Sequence, residues 1–230
     1  MGSLTIIIPV YNETNTILKI LNKINSINLS KQIIVVDDCS NDGTKQKLIK
    51  NRSKIDKLLF HNKNLGKGAA IRTAQKHIRG RFVIIQDADL EYNPKDYKNL
   101  IIPLRLNKSK VVYGSRVLGK KRYQTTEFTS LLRVFFNHLL TFFSNIINKQ
   151  KLTDAHTCYK VFDSKLFKQI NLQENGFAFC PEITTKISNL NIDIIELPIA
   201  YKGRSYKRGK KISYKDGVEA IISIIKYKYF

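Results

Sequence analysis

Phe82-Val83-Ile84-Ile85-Gln86-Asp87-Ala88-Asp89 sets a β-rich apolar run directly against two carboxylates that one small residue separates. The run reads as a strand over 81–86, and Ala88 lets a tight turn aim both carboxylates at one divalent cation. Hard oxygen donors suit Mg²⁺ or Mn²⁺, which would bridge a diphosphate. An Asp-x-Asp alone also recurs by chance as a solvated turn, so its neighbours decide.

Working outward, strand-like runs at 4–9, 32–36, 57–60, 81–86 and 110–114 alternate with helix-like segments at 13–26, 42–51, 67–78 and 94–105. That alternation predicts an α/β fold with a mostly parallel central sheet and helices on both faces. Ligands of such sheets gather at the carboxyl ends of the strands. The chemically loaded sequences all follow strand-like runs: Pro9-Val10-Tyr11-Asn12-Glu13, Asp37-Asp38 and Asp87-Ala88-Asp89. The second half is less regular, with an apolar segment at 131–147, strands near 158–162 and 193–200, a basic loop at 202–211 and a closing helix at 214–228. No internal repeat or linker divides residues 1–230, so a single catalytic domain is expected.

Forty Lys and Arg against eighteen Asp and Glu give a formal charge of +22, which favours anionic partners without choosing among them. Cys39, Cys158 and Cys180 are odd in number and form no C-x-x-C pair, which suggests neither a disulfide framework nor zinc and fits a reducing cytoplasm. The amino-terminal run Leu4-Thr5-Ile6-Ile7-Ile8 does not read as a secretion signal, and no stretch reaches the roughly 18 apolar residues of a membrane span.

Asp37 and Asp38 end their strand at the ligand edge, or alternatively cap the next helix, as Ser40, Asn41 or Asp42 would do equally well. Gly66-Lys67-Gly68 opens a helix whose N–H groups would face an anion, but the spacing is not that of a P-loop. Its glycines either pass close beneath a nucleotide or simply start the helix. His138 and His156 read as structural histidines and are not assigned to a metal.

Taken in order, Pro-Val-Tyr-Asn-Glu (9–13), Val-Asp-Asp-Cys-Ser-Asn-Asp-Gly-Thr (36–44), Gly-Lys-Gly-Ala-Ala (66–70), Asp-Ala-Asp-Leu-Glu (87–91) and Gly-Ser-Arg (114–116) resemble family 2 of the nucleotide-sugar glycosyltransferases. Within it they look most like dolichyl-phosphate mannose synthases and bacterial polyprenyl-phosphate glycosyltransferases. Asp-Ala-His-Thr-Cys-Tyr-Lys (154–160), Gly-Phe-Ala-Phe-Cys-Pro-Glu (176–182) and Arg-Ser-Tyr-Lys-Arg-Gly-Lys-Lys-Ile (204–212) extend the resemblance over nearly the whole chain. It implies the GT-A fold, a Rossmann-like nucleotide-diphospho-sugar transferase architecture, and an inverting, metal-dependent hexosyltransferase.

By the same resemblance Pro9, Tyr11, Glu13, Val36 and Asp38 hold the nucleoside of a GDP- or UDP-linked donor, with Gly66, Lys67, Asp87 and Ala88 also on the nucleotide. Asp87, Asp89 and Glu91 would meet Mg²⁺ or Mn²⁺, Glu91 standing where mannose synthases commonly have Gln. Asp89, Arg116, Arg204 and Lys210 would act on the diphosphate and acceptor phosphate, while Asp154 and Glu182 would orient sugar or acceptor. Gly203 and Gly209 would let the basic loop hinge over the diphosphate. The implied acceptor is polyprenyl phosphate, already ionised at neutral pH and so in no need of a strong base.

Arg133, Asn137, Thr141 and Ser144 draw a narrow polar stripe on a broadly apolar helix, and 214–228 repeats the pattern. Each is either a core helix or one lying in a membrane interface, and with the basic charge they point to peripheral association with an anionic, cytoplasmic membrane face. The rival readings are a soluble glycosyltransferase acting on a hydroxyl, which would need Asp154 or Glu182 as base, and a nucleotidyltransferase, which would release pyrophosphate. A nucleic-acid-binding module would explain the charge, but neither an aromatic RNA-binding signature nor a zinc motif is present, so no nucleic-acid partner is expected.

Overall fold

A computed structural model describes residues 3–118, 128–203 and 214–230. Its strands are β1 (Leu4–Val10), β2 (Lys31–Asp37), β3 (Lys57–Phe60), β4 (Phe82–Ile85), β5 (Val111–Ser115), β6 (Lys160–Asp163) and β7 (Ile194–Pro198). They form one sheet in the order β3-β2-β1-β4-β6-β5-β7. β6 runs antiparallel to both its neighbours, and every other pairing in the sheet is parallel. The α/β, mostly parallel expectation therefore holds, with a direction for β6 that its residues do not encode locally.

The helices are α1 (Ile17–Asn25), α2 (Thr44–Lys50), α3 (Lys67–Gln75), α4 (Tyr97–Leu100), α5 (Ile102–Arg105), α6 (Phe128–Asn148), α7 (Ser164–Gln169), α8 (Phe179–Asn189) and α9 (Tyr214–Tyr229). Ile6, Ile7 and Ile8 are consecutive in β1 and all fully buried, which requires cover on both faces of the sheet. α1 supplies such cover through Ile17, Ile20, Leu21 and Ile24, spaced to share one helical face.

Three boundaries differ from the sequence reading. The helix expected from 13 begins at Ile17, because residues 12–14 are spent on hydrogen bonds to the loop after β2. The segment 94–105 breaks into a 3₁₀ turn, α4 and α5, with Pro94 and Pro103 each standing in the first turn of a new piece. α7 and α8 were not anticipated, and α7 is started by Asp163, whose side chain caps the amides of Lys165 and Leu166.

β2 and β3 lie to one side of β1, and the chain then crosses to place β4 on the other. That reversal opens a crevice at the carboxyl ends of β1 and β4, where Tyr11 and Asp87 emerge. One wall of the crevice depends on glycine. Gly66 has φ +95, and a Cβ there would overlap the Asn175 carbonyl, while one on Gly68 would overlap that of Glu174. Neither alternative for these glycines describes them fully: they do start α3, and they also let the 174–176 loop press against its first turn, where the Ala69 amide donates to the Asn175 carbonyl at 3.2 Å.

Gly66→Ala is expected to cost about 2–3 kcal/mol of unfolding free energy, from backbone strain plus overpacking. Gly176→Ala, where nothing lies within 4 Å of the added carbon, should cost less than about 0.5 kcal/mol. Urea denaturation of the two variants makes the comparison.

Candidate active site

The loops leaving β1 and β2 are laced together. The amides of Asn12, Glu13 and Thr14 donate to Ser40 Oγ (2.9 Å), Thr44 Oγ1 (2.9 Å) and Asp42 Oδ2 (3.0 Å), and the Asn41 amide returns a bond to Asn12 Oδ1 (2.9 Å). Asn12 and Cys39 hold positive φ, so both loops turn sharply under this lacing. Burial works to raise the Asp42 carboxyl, but bonds from Thr44 and Thr14 outweigh it and hold the pKa below its ordinary value. Pro9 pairs with the fully buried Val36 across the two strands, and the Asp38 amide donates to Val10 at 2.8 Å. Pro9, Tyr11, Glu13, Val36 and Asp38 are thus brought to one edge, as their proposed shared role requires.

Asp38 nevertheless faces inward. Its carboxylate accepts from the amides of Leu65 (2.9 Å) and Gly66 (2.7 Å) and lies 2.6 Å from His61 Nδ1, whose other nitrogen meets Thr73 Oγ1. The residue is 3% exposed, so its evident work is to hold the turn that starts α3. Asp37 accepts from the Ser40 amide through one oxygen, and its other oxygen is buried with no hydrogen-bond partner among the described residues.

The held turn delivers Lys67 to the end of β4, where its ammonium stands 2.5 Å from Asp87 Oδ1 and 3.6 Å from the Cys158 sulfur. Burial opposes the charge on Lys67, but Asp87 outweighs it and lifts the pKa well above the usual lysine range. Burial pushes the Cys158 thiol up, which keeps it protonated. One residue after Ala88, Asp89 accepts from the Glu91 amide at 3.1 Å across Leu90, which is held at φ 65. Such strain in a non-glycine turn is common where side chains must be aimed.

Asp87 and Asp89 therefore offer carboxylate oxygens at the crevice mouth. Glu91 does not match its expected metal role as closely, because its Oε2 accepts from Tyr201 Oη at 2.7 Å and its carbonyl from the Lys202 amide at 2.8 Å. Among the described residues no three His, Cys, Asp or Glu side chains form a ready cage. Two carboxylates completed by substrate phosphates is the ordinary way to hold Mg²⁺, and the Asp87 and Asp89 donor set fits it.

Arg116 and Asp154 find each other. The guanidinium bonds the carboxylate bidentately at 2.7 and 2.7 Å, and the Arg116 amide adds a third bond at 3.0 Å. Burial opposes both charges, but the pair outweighs it, holding Asp154 below the usual carboxylate range and Arg116 above its ordinary value. Arg116, expected around the diphosphate and acceptor phosphate, and Asp154, expected to orient sugar or acceptor, thus neutralise each other. Glu182, the other carboxylate expected to orient sugar or acceptor, turns inward. It is fully buried in the first turn of α8, where it accepts from the amides of Gln173 (2.6 Å) and Glu174 (3.0 Å) and from Lys186 (2.6 Å). It shapes the loop that presses on Gly66 and Gly68. Arg204 and Lys210 lie outside the described residues.

The family model of Glycosyl transferase family 2 matches residues 5–170, which include both loaded loops, the β4 carboxylates and Arg116. The chain belongs to this family. Its curated relatives include a dolichyl-phosphate β-glucosyltransferase of Trichomonas vaginalis, 26% identical over 99% of this chain and 73% of the relative. The Saccharomyces cerevisiae dolichyl-phosphate β-glucosyltransferase is 29% identical over 86% of this chain and 66% of its own length. A low-salt glycan biosynthesis hexosyltransferase of Haloferax volcanii is 25% identical over 94% of this chain, which spans only 51% of that protein.

Among solved structures, glucosyl-3-phosphoglycerate synthase of Mycobacterium tuberculosis with Mn²⁺, UDP and phosphoglyceric acid superposes with TM-score 0.73 at 14% identity, over 99% of this chain and 79% of that one. Mannosyl-3-phosphoglycerate synthase of Rubrobacter xylanophilus gives TM-score 0.70 at 19% identity, over 98% and 72% of the two chains. The fold is GT-A.

Several residues that build this family 2 site escaped the sequence reading. Gln86, fully buried at the end of β4, accepts from Tyr97 and Tyr159 and donates to the Asp87 carbonyl at 2.8 Å, fixing the root of the carboxylate turn. A lone glutamine closing an apolar run was its signal. Tyr92 Oη accepts from the Cys158 amide at 3.0 Å, and its ring packs against Tyr159 and Tyr201. Lys160 is fully buried, bonds the carbonyls of Ala155 (2.7 Å) and Thr157 (2.9 Å) and lies 3.9 Å from the centre of the Tyr113 ring, so it knits the 154–160 loop.

His156 lies in the same loop with Nε2 buried and without a partner among the described residues. Burial, aided by Lys160, pulls its pKa down to about 4. An unfolded histidine takes its proton near 6.5, so between these values the unfolded chain binds more protons and stability falls as pH drops, by up to about 3 kcal/mol. Unfolding free energies of the native chain and His156→Gln, compared at pH 7 and 4.5, should show a smaller loss in the variant.

Proposed function

We propose that this chain transfers a hexose from a nucleoside-diphosphate sugar to a polyprenyl phosphate, with inversion, at the cytoplasmic face of an anionic membrane. The observation that carries the reading is the juxtaposition of Lys67, Asp87 and Asp89 at the switch point of a family 2 sheet. Two curated relatives are named for a dolichyl-phosphate acceptor and a glucosyl group, which supports a lipid phosphate and makes UDP-glucose the first donor to try, ahead of a GDP-linked sugar.

In this mechanism the nucleoside occupies the edge made by Pro9, Tyr11, Glu13 and Val36, while Asp38 holds the turn beside it. Lys67 and Asp89 flank the diphosphate, and Arg204 and Lys210 supply further positive charge to it. Asp87 and Asp89 would hold Mg²⁺ or Mn²⁺, which stabilises the departing diphosphate when bound. An acceptor phosphate oxygen bonds the anomeric carbon as the bond to the diphosphate breaks, and the electron pair leaves with the nucleoside diphosphate. Attack from the opposite face inverts the centre.

No proton needs removal from an ionised phosphate, and this favours the lipid acceptor over a hydroxyl. The two carboxylates a hydroxyl acceptor would draw on as base are engaged elsewhere, Asp154 by Arg116 and Glu182 by backbone amides and Lys186.

Asp89→Asn should lower transfer from UDP-glucose to polyprenyl phosphate by roughly 10²-fold or more while leaving the melting temperature within a few degrees. Turnover near that of the native enzyme would refute the assignment. Chelation with EDTA should abolish transfer, and added Mn²⁺ or Mg²⁺ should restore it.

A further inference from the structure

Thr141 and Ser144, from the polar stripe of the helix at 131–147, point inward. In α6, Thr141, Ser144 and Asn148 are 3%, 1% and 2% exposed, whereas Phe135, Phe136, Leu139, Phe142 and Ile146 are 50–63% exposed. The buried side meets polar partners: Asn148 Nδ2 donates to Thr185 Oγ1 at 3.1 Å on α8, and Ser188 Oγ donates to the Asn148 carbonyl at 2.5 Å. α9 also leaves apolar side chains outward, beside the exposed Glu219 and Lys226. Ala220, Ser223 and Ile224 are buried, with Ser223 donating to the Ala178 carbonyl at 3.3 Å, while Val218, Ile221, Ile222, Ile225 and Tyr229 are exposed.

A water-facing helix buries its apolar side and exposes its polar one. Here hydroxyls and an amide form the seam between α6 and α8, and apolar side chains of both α6 and α9 are left outward. α6 and α9 also pack on each other and share α8 as support, so these side chains form one outward surface. A contiguous apolar face of this kind marks an interaction site.

The charges next to these helices in sequence select the occupant. α6 contains no Asp or Glu and follows Lys120-Lys121-Arg122 in sequence, while Lys207, Arg208, Lys210 and Lys211 precede α9. Lys226 and Lys228 occupy its last turn. Apolar helix faces with basic residues before them in sequence match acyl chains beneath acidic headgroups. A formal charge of +22 on each copy opposes self-association through the same face. Among the described residues no helix is long and apolar enough to cross a membrane.

We propose that α6 and α9 lie in the plane of an anionic leaflet with Phe135, Leu139, Phe142, Ile146, Ile222 and Ile225 among the acyl chains, presenting the active site to its acceptor; the second clause rests on the polyprenyl-phosphate reading. The coupling to the site is direct. Asn145 exchanges hydrogen bonds with the backbone of Leu152 at 2.7 and 2.9 Å, and Thr141 accepts from the Ala155 amide at 3.4 Å, so α6 holds both ends of the turn that carries Asp154.

The chain has no tryptophan, so introduced ones report alone. Phe142→Trp and Ile222→Trp should shift to the blue and be quenched on phosphatidylglycerol vesicles bearing brominated acyl chains, whereas Ile49→Trp, exposed on α2, should not. Equal response at the three positions, or none, overturns the proposal, as does a concentration-dependent dimer that Phe142→Asp with Ile222→Asp abolishes without any vesicle quenching. That double variant should partition onto vesicles at least about tenfold more weakly and lose transfer to vesicle-held polyprenyl phosphate to the same extent. Its transfer to a short, water-soluble prenyl phosphate and its far-ultraviolet circular dichroism should be unchanged. Acyl quenching in a chain that glycosylates no prenyl phosphate would sink the acceptor and leave the face standing; prenyl-phosphate transfer without quenching would do the reverse.

Discussion

The Asp38 carboxylate, buried at the end of β2 and gripping the amides of Leu65 and Gly66, is the contact on which the arrangement of the site rests. It fixes a turn whose φ only glycine adopts freely, and that turn sets where α3 begins. Because α3 begins there, Lys67 reaches Asp87 across the crevice. The grip is reinforced from behind by His61, itself tied to Thr73 on α3, so the carboxylate, the turn and the helix are linked by one chain of hydrogen bonds. On the far side the 173–176 loop, organised by Glu182, closes against the same glycines. Two buried carboxylates therefore act through backbone amides to place one lysine.

The charge of the molecule and the charge of its site are different matters. The chain carries +22, yet inside the crevice Lys67 is matched by Asp87 and Arg116 by Asp154. Burying a cation and an anion together costs less than burying either alone, which is why these pairs survive desolvation. On the proposed function, a polyanionic donor entering this site would meet cations that already have partners, and a divalent cation at Asp87 would release Lys67 toward the phosphates by taking its place. The ion pair would then be a reserve of positive charge held for a diphosphate.

The centre of the sheet was legible because β1, β2 and β4 are rich in Ile and Val, and its ligand edge because Asn12-Glu13, Asp37-Asp38 and Asp87 follow those runs. The direction of β6 was not, since its neighbours β4 and β5 lie far away in sequence and a four-residue strand carries no mark of direction. Asp87 and Asp89 stood out by their spacing after a strand-like run and by the motifs around them. The partners of Asp38, Asp154 and Glu182 could not, because a carboxylate in sequence shows its charge and not what neutralises it. Arg116 and Asp154 stand 38 positions apart, and only the fold shows that they cancel.

The same limit applies to the two amphipathic helices, in a form that changes their meaning. A period of 3.6 residues reveals that a helix has two unlike sides, but is silent on which side faces the protein. The usual assumption, apolar side inward, is a statement about water as the surrounding solvent. Thr141, Ser144 and Asn148 pack inward against Thr185 and Ser188, so the support that α8 offers is polar, and the apolar sides of α6 and α9 are left to whatever medium lies beyond. If that medium is hydrocarbon, turning the polar side of α6 inward is the stable arrangement, since Asn148 and Ser188 then bond across the seam and the apolar side meets an apolar medium instead of water.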